Sequence, residues 1–158
     1  MRGYFGVPEY NTRTFTSDGF YRSGDLMRRH RTGNYVVEGR KKDLINRGGE
    51  KISAEEIENL ILMHPSVKNA SCVPVPDPVL GERMCACVLL RENARLNFDE
   101  LKTFLLGKEI AKYKLPERLE IMQDFPLSPF GKVSKKTLTE MISHKMVGEQ
   151  KSKDSATA

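Results

Sequence analysis

The 158-residue chain sets 26 Lys/Arg against 21 Asp/Glu, for a net charge of +5, with 39% apolar and 30% charged residues. It has no run of about 18 apolar residues to span a bilayer, and its first ten residues do not read as a signal peptide. The expectation is a soluble, cytoplasmic, non-membrane protein, and charges mixed along the chain argue against nucleic-acid binding.

Residues 1–18 combine Gly3, Gly6, Pro8 and Asn11 with Tyr4, Phe5, Tyr10 and Phe15. That reads as irregular or helical-turn structure carrying aromatic anchors in want of a surface. Gly19 to Leu26 suggests short strands and a tight turn, and His30-Arg31-Thr32-Gly33-Asn34 a hairpin turn into a strand at Tyr35–Glu38. The stretch Gly39 to Ser53 is rich in Lys, Arg and Gly, with Leu44, Ile45 and Ile52 as its apolar side chains. It is not written like a core strand or helix. The adjacent Gly48-Gly49 permits positive φ or close approach of a ligand, and its basic neighbours suit phosphate or carboxylate oxygens. A solvated basic turn between strands is the plain alternative.

Ser53 is a candidate N-cap for a helix carrying Ile57, Leu60, Ile61 and Met63, which His64-Pro65 ends. Strands are expected at Ala70–Val75 and Met84–Leu90. The second is apolar almost throughout, as a central strand covered on both faces would be. Asn97 or Asp99 caps a helix with Leu101, Phe104 and Leu105, and Leu115-Pro116 precedes a strand at Arg118–Met122. Phe125 to Val133 is a Pro/Gly-punctuated loop, after which Ser134 caps a last helix with Leu138, Met141 and Ile142. Residues 148–158 have no apolar face and read as a disordered tail. Cys72, Cys85 and Cys87 lie in apolar, strand-like surroundings, read as reduced core thiols with no metal site.

Four motifs occur in order: Tyr21-Arg22-Ser23-Gly24-Asp25-Leu26, Gly39 to Ser53, Val75-Pro76-Asp77-Pro78-Val79-Leu80-Gly81-Glu82, and Pro126-Leu127-Ser128-Pro129-Phe130-Gly131-Lys132-Val133. Their order and spacing resemble the C-terminal part of the adenylate-forming superfamily of acyl-CoA synthetases, luciferases and peptide-synthetase adenylation domains. The form Asp43-Leu44-Ile45-Asn46-Arg47-Gly48-Gly49-Glu50-Lys51-Ile52 is most similar to the aryl-acid branch, the 2,3-dihydroxybenzoate–AMP ligases of siderophore synthesis.

The resemblance implies an α+β fold: a small C-terminal domain at 44–147, with a short central sheet flanked by helices. Before it come a β-rich stub of a large N-terminal domain at 1–41 and a hinge at Lys42 or Asp43. It implies that Asp25 binds the ribose of ATP or AMP, that Arg40 approaches ribose and phosphate, and that Lys132 is catalytic. Phe130 stands where the family usually has a polar residue. Gly48 and Gly49 would line a phosphopantetheine channel. The implied reaction joins an aryl acid to ATP with Mg²⁺, then passes the acyl group to the phosphopantetheine of an aryl carrier protein. The phosphate loop, adenine-binding segment and acid pocket would precede residue 1. The expectation is therefore a chain that does not adenylate alone and needs the large domain. The competing readings are a non-catalytic docking module for a carrier protein or large domain, and an acyl-CoA synthetase within the family.

Overall fold

The computed structural model describes residues 3–156, except the side chains of 150–156. The chain divides into two compact units, Met1–Lys42 and Asp43–Ala158. In the first unit, helix α1 (Pro8–Thr14) starts at a proline, whose fixed φ suits a first helical turn. Strands β1 (Asp25–Arg29) and β2 (Tyr35–Arg40) form an antiparallel hairpin. The His30 N–H donates to Asn34 O at 2.7 Å and the Gly33 N–H to His30 O at 2.9 Å, closing its turn. A two-stranded hairpin buries little, and here Thr14 and Gly39 are the buried residues among 3–42. Phe5, Phe20, Tyr35, Met27 and Val37 are all exposed.

The second unit is built around β6 (Gly81–Leu90). Strand β5 (Val67–Asp77) pairs antiparallel along one whole edge of β6. Two strands share the other edge. The hairpin of β3 (Leu44–Arg47) and β4 (Glu50–Ser53) joins at its start, through Arg47 opposite Gly81. Strand β7 (Arg118–Met122) runs parallel to it from Cys85 to Leu89. Met84, Cys85, Ala86, Cys87 and Val88 are fully buried. Because successive strand residues face opposite ways, Met84, Ala86 and Val88 join one core with Ile57 and Ile61 of α2 (Ala54–Ile61) and Leu101 and Leu105 of α3 (Phe98–Leu106). Cys85 and Cys87 enter a second core with Leu138 and Ile142 of α4 (Lys135–Ala156).

The caps follow from side-chain chemistry. Ser53 Oγ accepts the Glu56 N–H at 3.3 Å. Asn97, rather than Asp99, caps α3 in a reciprocal box with Glu100. Met63 lies beyond the end of α2 and Met141 on the outer side of α4, and both stay exposed.

Two expectations are corrected. The Gly39–Ser53 stretch, read as unlike a core strand, does contain core-seated strands: Ile45 and Ile52, opposite one another in the β3–β4 register, are fully buried and anchor a hairpin. Helix α4 continues to Ala156, through most of the stretch read as disordered. Extending an existing helix gains one backbone hydrogen bond per residue fixed, and Glu149 makes a two-pronged pair with Arg118. Residues 157–158 lie outside the described residues. The three cysteines are free and buried. Burial pushes the Cys72 thiol up, while the hydrogen bond to Cys87, followed by burial, raises Cys85. Among the described residues no helix is long and apolar enough to cross a membrane.

Ser71, 2% exposed, buries a hydroxyl without a hydrogen-bond partner. Removing an unsatisfied group is near neutral, whereas truncating a core isoleucine costs about 2–5 kcal/mol. In urea melts Ser71→Ala is expected to match or slightly exceed the parent, within about 1 kcal/mol, while Ile57→Ala loses the larger amount. A Ser71→Ala loss as large as that of Ile57→Ala would contradict the missing partner.

Candidate functional site

The Gly48-Gly49 pair forms the two-residue turn of the β3–β4 hairpin. Their φ values of +57° and +95° are both positive, as a type I′ turn requires. The two glycines differ in surroundings. A Cβ on Gly48 would meet Leu80 Cδ2 at 3.1 Å, whereas one on Gly49 would point into open space.

The hairpin is tied to the start of β6 by polar contacts. Gly48 N–H donates to Leu80 O at 2.8 Å, and Asn46 N–H to a Glu82 carboxylate oxygen at 2.7 Å. Between β3 and β7 the edge of β6 would be left unpaired at Met84. Glu117 fills that gap: its N–H donates to Met84 O and its Oε2 accepts the Met84 N–H, each at 3.0 Å. Its other carboxylate oxygen pairs with Arg47, next to Gly48. The turn between β5 and β6 is braced by Asp77, whose Oδ1 accepts the N–H groups of Leu80 at 2.7 Å and Val79 at 3.0 Å. Its Oδ2 pairs with Arg83 at 2.6 Å. The Leu80 N–H holds the Asp77 carboxyl below the usual carboxylate range. It outweighs partial burial, and the Val79 N–H and Arg83 add to it.

Lys132 sits in a second turn. Leu127 and Val133 bridge, Ser128 N–H donates to Lys132 O at 2.7 Å, and Gly131 N–H to Ser128 O at 2.9 Å. Phe125 is buried at the root of this loop, while Phe130 and Lys132 are exposed at its tip. Among the described residues Lys132 forms no ion pair. The loop follows β7, which ends at Met122 beside Leu89, whereas the glycine hairpin joins β6 at Gly81. The second leg of the Lys132 turn enters α4 at Lys135, which is held through Glu58 to Cys72, the register partner of Ala86.

In the first unit Asp25 and Arg40 are register partners, with Arg40 Nε donating to Asp25 Oδ1 at 3.0 Å. Both remain open to solvent. Lys42 and Asp43 lie in a 3-10 turn, Lys41–Asp43, where the two units meet in sequence. Among the described residues no group of three His, Cys, Asp or Glu is arranged to hold a metal. Sequence reasoning missed Glu117, which lies seventy positions from Arg47. No local pattern marks a carboxylate that closes a gap between strands.

Residues 56–132 match the model of the AMP-binding enzyme C-terminal domain. The 2,3-dihydroxybenzoate-AMP ligase of Bacillus subtilis (strain 168) is 51% identical over 147 residues, which are 93% of this chain and 27% of the relative. This chain carries an AMP-binding enzyme C-terminal domain. Enterobactin synthase component E of Escherichia coli (strain K12) is 45% identical over 90% of the chain and 26% of its own length. The chain thus spans about a quarter of these curated relatives. The fold agrees. ATP-bound MatB from Rhodopseudomonas palustris superposes with a TM-score of 0.80 at 32% identity, over 90% of this chain and 28% of that one.

A carboxyl held low in the folded state stabilises the fold above its ordinary pKa of about 4 and loses that contribution as pH falls through the lower folded value. Acidification below about pH 4 should therefore speed amide exchange at Leu80 and Gly48 before the core amides respond. In Asp77→Ala that acid-dependent step should be absent. An equal acid response in parent and variant would contradict it.

Proposed function

We propose that this chain works as the C-terminal part of an aryl-acid–AMP ligase in the cytoplasm. The reaction joins an acid such as 2,3-dihydroxybenzoate or salicylate to ATP, giving acyl-adenylate and pyrophosphate. The acyl group then passes to the phosphopantetheine thiol of an aryl carrier protein, releasing AMP. The observation that carries this reading is the pair of exposed turns anchored on opposite edges of the sheet, one with a lysine that forms no ion pair among the described residues and one with open space beside a glycine.

In the first step the substrate carboxylate attacks the α-phosphorus and negative charge builds on the phosphate oxygens and the leaving pyrophosphate. Lys132, on a turn held by its own backbone hydrogen bonds, supplies a fixed positive charge to that developing charge. Asp25 has the acceptor oxygens that ribose hydroxyls need, and Arg40 is both its partner and a donor for phosphate. Mg²⁺ would arrive with ATP to neutralise phosphate charge, and no cluster of this chain's described residues is assigned to it.

In the second step a thiol must reach the acyl carbon along a narrow path. The missing side chain of Gly49 leaves such a path open, and Gly48 fixes the turn against Leu80. Separate anchors on opposite edges of the sheet favour presenting the two turns to one reaction centre in succession. Lys42 and Asp43, in the short 3-10 turn between units, are the residues that would absorb the rotation. The exposed aromatics of the first unit, Phe5, Phe20 and Tyr35, favour a large-domain surface as their partner. A docking module without turnover would use that same surface.

The test separates the half-reactions in an enzyme carrying this chain as its C-terminal part. Lys132→Ala should lower aryl-acid-dependent ATP–pyrophosphate exchange by about 100–1000-fold while sparing transfer from supplied acyl-adenylate. Gly49→Phe should do the reverse. Full exchange in Lys132→Ala would remove the catalytic assignment, and turnover absent from the parent would favour the docking module.

A further inference from the structure

Glu58 belongs to none of the motif roles above, yet it stands at the root of the Lys132 turn. Among the described residues strand β5 pairs with β6 alone, so its outer edge presents unpaired backbone groups. From α2, a Glu58 carboxylate oxygen accepts the Cys72 N–H of that edge at 2.6 Å. The same oxygen pairs with Lys135 Nζ at 2.7 Å. The Glu58 side chain is only 14% exposed, so both contacts are charge-assisted in partly dry surroundings, where losing a partner is costly.

Lys135 is the first residue of α4 and follows Lys132 by three positions. A cation there opposes the helix dipole, whose positive end favours acids, and α4 has no acidic residue in its first turn. Glu58 supplies from another helix the negative charge that this terminus lacks. The loop's other leg is fixed by buried Phe125 and by Pro126, whose carbonyl accepts the Ser134 N–H at 2.8 Å. Without the Glu58–Lys135 pair, the leg that carries Lys132 into α4 would lose the ion pair that ties it to the body of the unit.

We infer that Glu58, acting through Lys135, is a positioning residue that holds the Lys132 turn for the adenylation step, and this rests on the function proposed above. Glu117 is its counterpart on the opposite edge of the sheet: it too joins a strand N–H to a cation, Arg47, beside a working turn. The two anchors should therefore be separable.

Amide exchange of the full chain tests the anchoring directly. Glu58→Gln keeps an acceptor for Cys72, and Lys135→Met leaves Glu58 and Cys72 together, so the fold is retained by two routes. Each should speed exchange at Gly131 and Ser134 by about 10–100-fold, the range for a lost charge-assisted hydrogen bond, with Gly48 unchanged. Lys135→Arg should restore the parent rates. Glu117→Gln should speed Gly48 and spare Gly131 and Ser134. Equal changes at both turns, or at neither, would overturn the inference.

The functional readout uses an enzyme carrying this chain as its C-terminal part. There Glu58→Gln should lower kcat for ATP–pyrophosphate exchange about tenfold or more without slowing transfer from supplied acyl-adenylate. An equal fall in both half-reactions overturns the positioning role. A parent enzyme that shows no exchange counts instead against the adenylation reading, and amide exchange then decides the anchoring alone.

Discussion

The burial of β6 on both faces is the constraint on which the second unit depends. Five consecutive residues, Met84 to Val88, are closed to solvent and feed two cores in alternation, one under α2 and α3 and one under α4. A strand buried this way fixes its register strongly, because a one-residue slip would exchange the contents of the two cores. It also fixes where the strand ends lie. One free edge is too long for the short hairpin β3–β4 and too long for β7, so the two share it and a carboxylate fills the interval.

That division of the edge positions the two exposed turns. The glycine hairpin is seated by Ile45 and Ile52 below and by Leu80, Glu82 and Glu117 alongside. The Lys132 turn is seated by Phe125 and by the start of α4. In both cases a rigid, well-paired base carries a small tip with little of its own to pack against. Such a tip is available to a substrate or another surface without loss of core contacts. The first unit has the opposite character: a hairpin and a short helix whose apolar side chains face outward.

Much of this was legible in the sequence. The continuous apolar run at Met84–Leu90 marks a doubly covered strand, Ser53 a helix start, and Leu115-Pro116 the entry to β7, since these signals are local. The order of the four motifs pointed to the AMP-binding enzymes, and the family comparisons agree. What stayed hidden was non-local. The basic, glycine-rich stretch concealed a hairpin because only two of its residues face the core, and composition outweighed their placement. The continuation of α4 stayed hidden because the stretch is polar and starts at Gly148, and the Arg118–Glu149 pair that holds it joins residues 31 positions apart. Glu58 and Glu117 were invisible because each serves a backbone N–H far away in sequence.

The most direct measurement is amide protection in an enzyme carrying this chain, compared between a state holding acyl-adenylate and a state engaging a carrier phosphopantetheine. Alternating use of the two turns predicts that Gly131 to Ser134 are protected in the first state and Gly48-Gly49 in the second. Protection of both turns together in one state would contradict it.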